Sequence, residues 1–202
     1  MIKLFALMPR RPDLSPERFR EHWRHTHAGH VKRISTVRGY VQSYPVEALA
    51  GVSTLPYDGI AEIWYEDRDA AEQTKTDPDY LDFARRDEPA FIDMQRHVLL
   101  VTRERVVLED QAQPSSPAHS TKAIVFLTHS DDASIQTLSR LPRVTRVVED
   151  LVLERTGSSY ERVLEMWWES EDAFAADWSR GVGGWAGDRP CAGARVREVR
   201  II

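Results

Sequence analysis

Cysteine is almost absent from this sequence. Cys191 stands alone among 202 residues, which rules out an internal disulfide and a thiolate metal cage and makes a reducing compartment the expectation. Long apolar runs are missing as well. No stretch reaches the roughly 20 residues of a membrane-spanning helix. The opening MIKLFALMPRRP has too short an apolar run, followed by arginines, to read as a signal peptide. Nor is there an excess of basic charge. The 27 Lys and Arg are interleaved with 32 Asp and Glu, for a net charge of −5, and nothing resembles a nucleic-acid stripe. GxGxxG, Walker, GxSxG and CxxC motifs are absent, so nucleotide cofactors, phosphate loops and hydrolase triads have no support. These absences leave a cytoplasmic protein, with no membrane or nucleic-acid partner and no cofactor written into its motifs.

What the sequence does have is histidine, concentrated in LSPERFREHWRHTHAGHVKRI (Leu14 to Ile34). Ser15 suits an N-cap, Pro16 the first helical position, and Glu17 the positive end of the helix dipole. At 100° per residue, with His22 as zero, Phe19, Trp23, Thr26, His27, His30 and Ile34 fall between about 40° and 140°. Glu17, Arg18, Glu21, Arg24, His25 and Lys32 fall between about 200° and 320°. His27 and His30 are therefore the inward pair, His25 points outward and His22 lies at the edge. So wide a spread prevents the four imidazoles from converging on one ion, and no metal site is expected.

The remaining pattern is β-α-β-β-α-β. Strands are expected at Ile2 to Met8, Gly39 to Val46, Tyr57 to Tyr65 and His97 to Leu108. Between the last two, a helix at Asp69 to Lys75 and a second turn from Asp77 through Ala84 are expected, with an apolar stub at Phe91 to Met94. Alternation puts Tyr40, Gln42 and Tyr44 on one face of the second strand, with Val41 and Ser43 on the other. It also puts Asp58, Ile60, Glu62 and Trp64 together on the third, and Pro45 marks an edge or a bulge. Residues 109–121 (EDQAQPSSPAHST, with the flanking Glu109 and Thr121) read as a linker. After it the pattern restarts: Lys122 answers Lys3, Val144 to Leu151 answers Val37 to Tyr44, and LEMWWESEDA (Leu164 to Ala173) answers AEIWYEDRDA (Ala61 to Ala70). The second copy is shorter by about twelve residues around its first helix, at roughly 132–141, and carries no histidine there. The fold expected is α+β: two ferredoxin-like repeats, 1–108 and 122–202, packed sheet to sheet as an intramolecular, pseudo-dimeric barrel. The chain would be a monomeric pseudo-dimer or would pair again as a homodimer.

The helix motif LSPERFREHWRHTHAGHV, with YDGIAEIWYED at 57–67 and DEPAFIDM at 87–94, resembles the EthD family of the dimeric α+β-barrel superfamily. The resemblance covers residues 1–108. It implies a ligand pocket between the helices and the sheet, in a family that includes dehydratase-like and cyclase-like proteins acting on polyketides or aromatics. His27 matches the family's helix histidine and is the expected acid/base, since an imidazole titrates near neutral pH; the competing role is a core histidine bonded to a backbone carbonyl. Trp23, His30, Tyr40, Tyr44, Asp58, Glu62 and Trp64 are the expected substrate-binding residues. For His30 packing is the competing role. For Glu62, whose counterpart is Glu165, it is a salt bridge across the barrel. The expected function is a cofactor-independent lyase, isomerase or cyclase acting on a small apolar, carbonyl-bearing or aromatic ligand. The alternatives are a binding protein for an apolar metabolite and an oxygenase, cofactor-free or haem-dependent. One pocket per chain is expected, with Trp167 and Trp168 filling or covering the equivalent space of the second half.

Overall fold

The computed structural model describes residues 1–109, 120–128, 141–181 and 191–202. Most of the expected linker and of the expected short helix at 132–141 lies outside these residues. The first half opens with β1 (Ile2–Met8), followed by α1 (Pro16–Glu21), a π-helical turn π1 (His22–His27) and α2 (Ala28–Val31). Next come β2 (Val37–Ala48), the two-residue β3 (Ser53–Thr54), β4 (Gly59–Tyr65) and α3 (Arg68–Thr74). A second π turn, π2 (Tyr80–Ala84), leads into α4 (Arg85–Phe91) and then β5 (Val98–Glu109). The second half supplies β6 (Thr121–Leu127), β7 (Val144–Thr156), β8 (Arg162–Trp168), α5 (Glu171–Gly181) and β9 (Cys191–Arg200).

The strands follow one another in the order β2-β4-β1-β5-β7-β8-β6-β9, and β9 pairs back onto β2. Eight antiparallel strands thus close into a barrel, while β3 hangs on β9 as a short parallel pair. Closure leaves none of the eight long strands with an open edge, which removes a template for aggregation. The order of the first four strands in space is the order of the second four. The two seams between halves are β5–β7, from Leu99↔Thr156 to Glu109↔Arg146, and β2–β9, from Val41↔Arg200 to Ala48↔Ala194. Pro45 sits beside a register shift in the latter, so it marks a bulge in a seam strand rather than an edge.

Alternation along each strand separates the barrel interior from an outer core in each half. Phe5, Leu7, Ile60, Leu100, Ile124, Phe126 and Val163 point into the barrel. Ala6, Met8, Tyr40, Tyr44, Ala61 and Tyr65 point outward, under Phe19, Trp23, Ala28, Val31 and Phe91 of the helical layer. The helix expected to stop at Ala84 continues to Phe91, carrying Pro89 within it. Its reason is packing. Phe91 is fully buried and its ring lies 5.7 Å from that of Phe19, 5.0 Å from His22 and 4.9 Å from His27. In the second half α5 lays Phe174 and Trp178 on Trp168, at ring separations of 5.1 and 6.4 Å.

The barrel interior also holds charge. Lys3 and Lys122 are both buried among Glu62, Glu165, Glu104, Asp150 and Glu198. Lys122 Nζ lies 2.8 Å from Glu62 and 2.5 Å from Glu165. Lys3 pairs closely with Glu165 and lies 3.3 Å from Glu62. Ser43 Oγ donates to Glu62 at 2.6 Å, and Trp64 and Trp167 donate their indole N–H groups to Glu104 and Glu198. Buried charges survive only when paired in this way.

Candidate active site

The outward face of β1, β2, β4 and β5 and the helical layer enclose a cavity of about 300 Å3. That is the lower end of the range for small-molecule sites. Leu4, Ala6, Val31, Ile34, Ala61 and Ile63 give it apolar walls, and His27, Tyr40, Tyr80, Glu88 and His97 bring polar groups to it. Glu154, Arg155 and Thr156 of β7 contribute to the lining, and Arg68 pairs with Glu154 across that side. The second half therefore completes part of the enclosure.

His27 is set by the π turn. Ser15 caps α1 by accepting from the Arg18 N–H at 3.3 Å, as its position suggests. One turn later the ladder changes, and the Ala28 N–H donates to the Trp23 carbonyl, five residues back. Bonding of this i→i+5 kind brings residues five apart to the same side. His22 and His27, about 140° apart on a regular helix, both reach one carboxylate. Asp87 of α4 lies 2.8 Å from His22 Nε2 through Oδ1 and 3.0 Å from His27 Nδ1 through Oδ2. Burial alone would raise the Asp87 carboxyl, but the hydrogen bonds from His27 and His22 outweigh it and hold its pKa below the usual carboxylate value. With Nδ1 committed to Asp87, Nε2 is the His27 nitrogen left for a molecule in the cavity.

A second polar network meets the cavity at Tyr40, with Trp23, Gln42 and Tyr44 set behind it. The Trp23 indole donates to Tyr40 Oη at 2.7 Å, and Gln42 Nε2 donates to the same oxygen at 3.1 Å and to the Trp23 carbonyl at 2.9 Å. Tyr44 donates its hydroxyl to Gln42 Oε1 at 2.5 Å. Tyr44 has thus spent its proton, whereas Tyr40 accepts twice and keeps its own. Burial raises the Tyr40 phenol well above its ordinary value, against the hydrogen bonds from Gln42 and Trp23, so it stays protonated. Trp23 itself packs on Gly59, where a Cβ would come within 2.6 Å of the indole ring. Only glycine allows that approach.

The other expected ligand residues are placed elsewhere. His30 stacks on Phe83, with rings 5.9 Å apart, and does not line the cavity. Asp58 accepts from the Arg10 backbone at 2.9 Å and from its guanidinium at 3.1 Å, pinning the chain that follows β1. Glu62 and Trp64 are on the barrel-interior side of β4, next to Lys3, and the sheet separates them from the cavity. They cannot touch its contents. The residues of β4 that do are Ala61, Ile63 and Tyr65. Among the described residues, Glu104, Asp150 and Glu165 have the spacing of a metal site, but the Lys3 ammonium already sits among them.

Three groups at this site escaped the sequence reading. Asp87 lies in DEPAFIDM, a segment that carries the resemblance, but only folding shows that it faces two histidines. Glu88, beside it, takes the Arg85 guanidinium and a 3.4 Å bond from Tyr80; burial pushes its carboxyl up, and the Arg85 bond opposes this. His97 lines the cavity, and burial, aided by the charges of Arg85 and His27, pushes its pKa down to about 4.

Residues 11–95 match a family model described as the EthD domain. No curated protein matches the sequence. Solved structures that resemble the whole chain include the following three. An anthrone oxidase-like protein is 14% identical with a TM-score of 0.57, covering 99% of this chain and 92% of its own. A candidate monooxygenase from Fusobacterium nucleatum is 7% identical with a TM-score of 0.56, covering 98% and 91%. Another, from Lactobacillus acidophilus, is 8% identical with a TM-score of 0.53, covering 100% and 93%. At these identities the likeness is one of fold, the dimeric α+β barrel.

Proposed function

We propose, on the premise that residues 11–95 are an EthD domain, that the cavity binds a small, largely apolar, carbonyl-bearing or aromatic molecule of polyketide-like character. His27 moves a proton on that molecule in a cofactor-independent lyase, isomerase or cyclase reaction. The observation that carries this reading is the hydrogen bond from His27 to Asp87 at the cavity wall. A carboxylate behind an imidazole fixes its tautomer and orientation and stabilises the imidazolium once the other nitrogen has taken a proton. The Tyr40 hydroxyl, with its own proton free, supplies a donor for a substrate oxygen on which negative charge develops.

Replacing His27 by Gln keeps a hydrogen-bonding side chain towards Asp87 and removes the imidazole. Turnover should fall by about 10²- to 10⁴-fold, while ligand affinity by calorimetry and the unfolding midpoint change little. An undiminished rate would sink the assignment. If no ligand that binds is ever converted, as judged by mass spectrometry, the alternative of a binding protein for an apolar metabolite takes over. The names of the similar structures support a further alternative, an oxygenase, because taking a proton from an acidic phenol or carbon acid also prepares a substrate for oxygen. Oxygen uptake with a quinol-type substrate would favour it, and a Soret band would bring in haem.

We also propose that the chain is a tandem of ferredoxin-like repeats, 1–108 and 122–202, with the second acting as structural partner. The recurrence of strand order supports this, as does the match of Lys3, Ser43, Glu62 and Trp64 with Lys122, Asp150, Glu165 and Trp167 inside the barrel. Trp168 stands where Tyr65 lines the cavity, and it packs under α5. A stoichiometry of one ligand per chain follows.

A further inference from the structure

One nitrogen on the cavity wall has no partner. His97 immediately precedes β5, its ring lines the cavity, and its Nε2 is buried without a hydrogen bond. A buried polar atom left unmade costs about 1–3 kcal/mol. Native structures keep few of them, most often where a ligand or water completes the bond. The neighbours are engaged with one another: Glu88 takes the Arg85 guanidinium and the Tyr80 hydroxyl, and His27 Nδ1 is held by Asp87. Among the described side chains lining the cavity, His97 is the one with an orphaned buried atom.

We infer that His97 is the second polar anchor of this cavity and hydrogen-bonds an uncharged oxygen, a hydroxyl or a carbonyl, on a largely apolar ligand. The inference rests on reading the cavity as a ligand site. The oxygen is uncharged because the ring offers it one hydrogen bond and no charge. Burial keeps the imidazole neutral at physiological pH, and the nearby Arg85 is already paired with Glu88. The ligand body is apolar because much of the cavity wall is aliphatic: Leu4, Ala6, Ile34, Ala61 and Ile63. His27 and His97 sit on different elements, a helical turn and the entry to a strand. Two such fixed points set the orientation of a bound molecule, where one would leave it free to rotate.

The test uses the full-length protein at pH 7 with 1-naphthol and naphthalene, which differ only in the hydroxyl. Side-chain NMR follows the cavity methyls of Ala61 and Ile63 and the imidazole nitrogens of His27 and His97. The expected result has three parts. 1-Naphthol moves the methyls and the His97 Nε2 resonance, it binds about tenfold tighter than naphthalene, and His97→Phe removes that preference, read as the ratio of the two affinities within the variant. If 1-naphthol moves the methyls but leaves His97 Nε2 unchanged, this inference fails and the cavity reading stands. The nitrogen resonance is read in the unmodified protein, so a misfolded variant does not obscure it. If neither compound moves the methyls, both the cavity reading and the role of His97 are overturned.

Discussion

The carboxylate of Asp87 lies 3.0 Å from Nδ1 of His27, across the contact between α4 and π1. Its other oxygen takes His22 at 2.8 Å, so one side chain of α4 fixes two rings of π1. Phe91 packs against both rings from the same helix.

Replacing Asp87 by Asn should therefore damage the site more than the fold. Shape and volume are kept, but the neutral amide no longer stabilises an imidazolium. Turnover should fall by about 10- to 100-fold with little change in affinity for a bound ligand. Steady-state kinetics with a parallel calorimetric titration separate the two. The depressed pKa of Asp87 also makes a stability prediction. A carboxyl lowered by folding contributes stability above its unfolded value near 3.9 and loses it as pH falls through the folded value. The Asn variant should show a shallower loss of stability below about pH 4.

His97 gives a prediction with a different window. Its folded pKa is pushed down to about 4 from the ordinary 6.5. Between those values the unfolded chain binds a proton that the folded chain refuses, so stability rises with pH across that interval and falls on acidification. The full difference is on the order of 3 kcal/mol. His97→Phe should flatten the dependence of urea midpoints between pH 6.5 and pH 4. An identical slope in the variant would show that His97 does not titrate in this way.

Lys122 is the clearest structural keystone. It is buried within 2.8 Å of Glu62 and Glu198 and 2.5 Å of Glu165. Lys122→Met fills a similar volume but removes one of the two buried ammonium groups, leaving Lys3 alone to face Glu62 and Glu165 and taking the Lys122 ion pair from Glu198, and should cost about 3–5 kcal/mol of stability. Urea denaturation measures this. Ligand binding at low denaturant should survive, since the cavity is on the other face of the sheet.

Gly59→Ala should destabilise for a local steric reason. The added Cβ would lie 2.6 Å from the Trp23 ring and 3.1 Å from that of Phe19. Overpacking of this kind costs roughly 1–3 kcal/mol. Displacing Trp23 also strains its bond to Tyr40, so the indole fluorescence of the variant should shift along with its melting temperature.

Sequence alone decided several of the local elements and part of their burial. The N-cap at Ser15, the inward position of His27 and the alternation along β2 and β4 all follow from spacing, because side-chain direction has a fixed period in helices and strands. The likeness of the first half to the EthD domain was likewise legible in three short motifs. Sequence could not say which face of β4 borders the cavity. Both faces are buried, one in the barrel and one under the helices, so a period of two sorts residues into sets without labelling either. Glu62 and Trp64 were grouped correctly with one another and fall on the set away from the cavity, while Asp58 precedes β4 and holds Arg10. Nor did an even 100° per residue foresee π1, whose i→i+5 bond turns His22 towards the same carboxylate as His27. Asp87 and His97 are separated from that turn by some sixty and seventy residues of chain. Their meeting with His27 depends on how α4 and the entry to β5 pack over the closed barrel, and only the tertiary structure decides that.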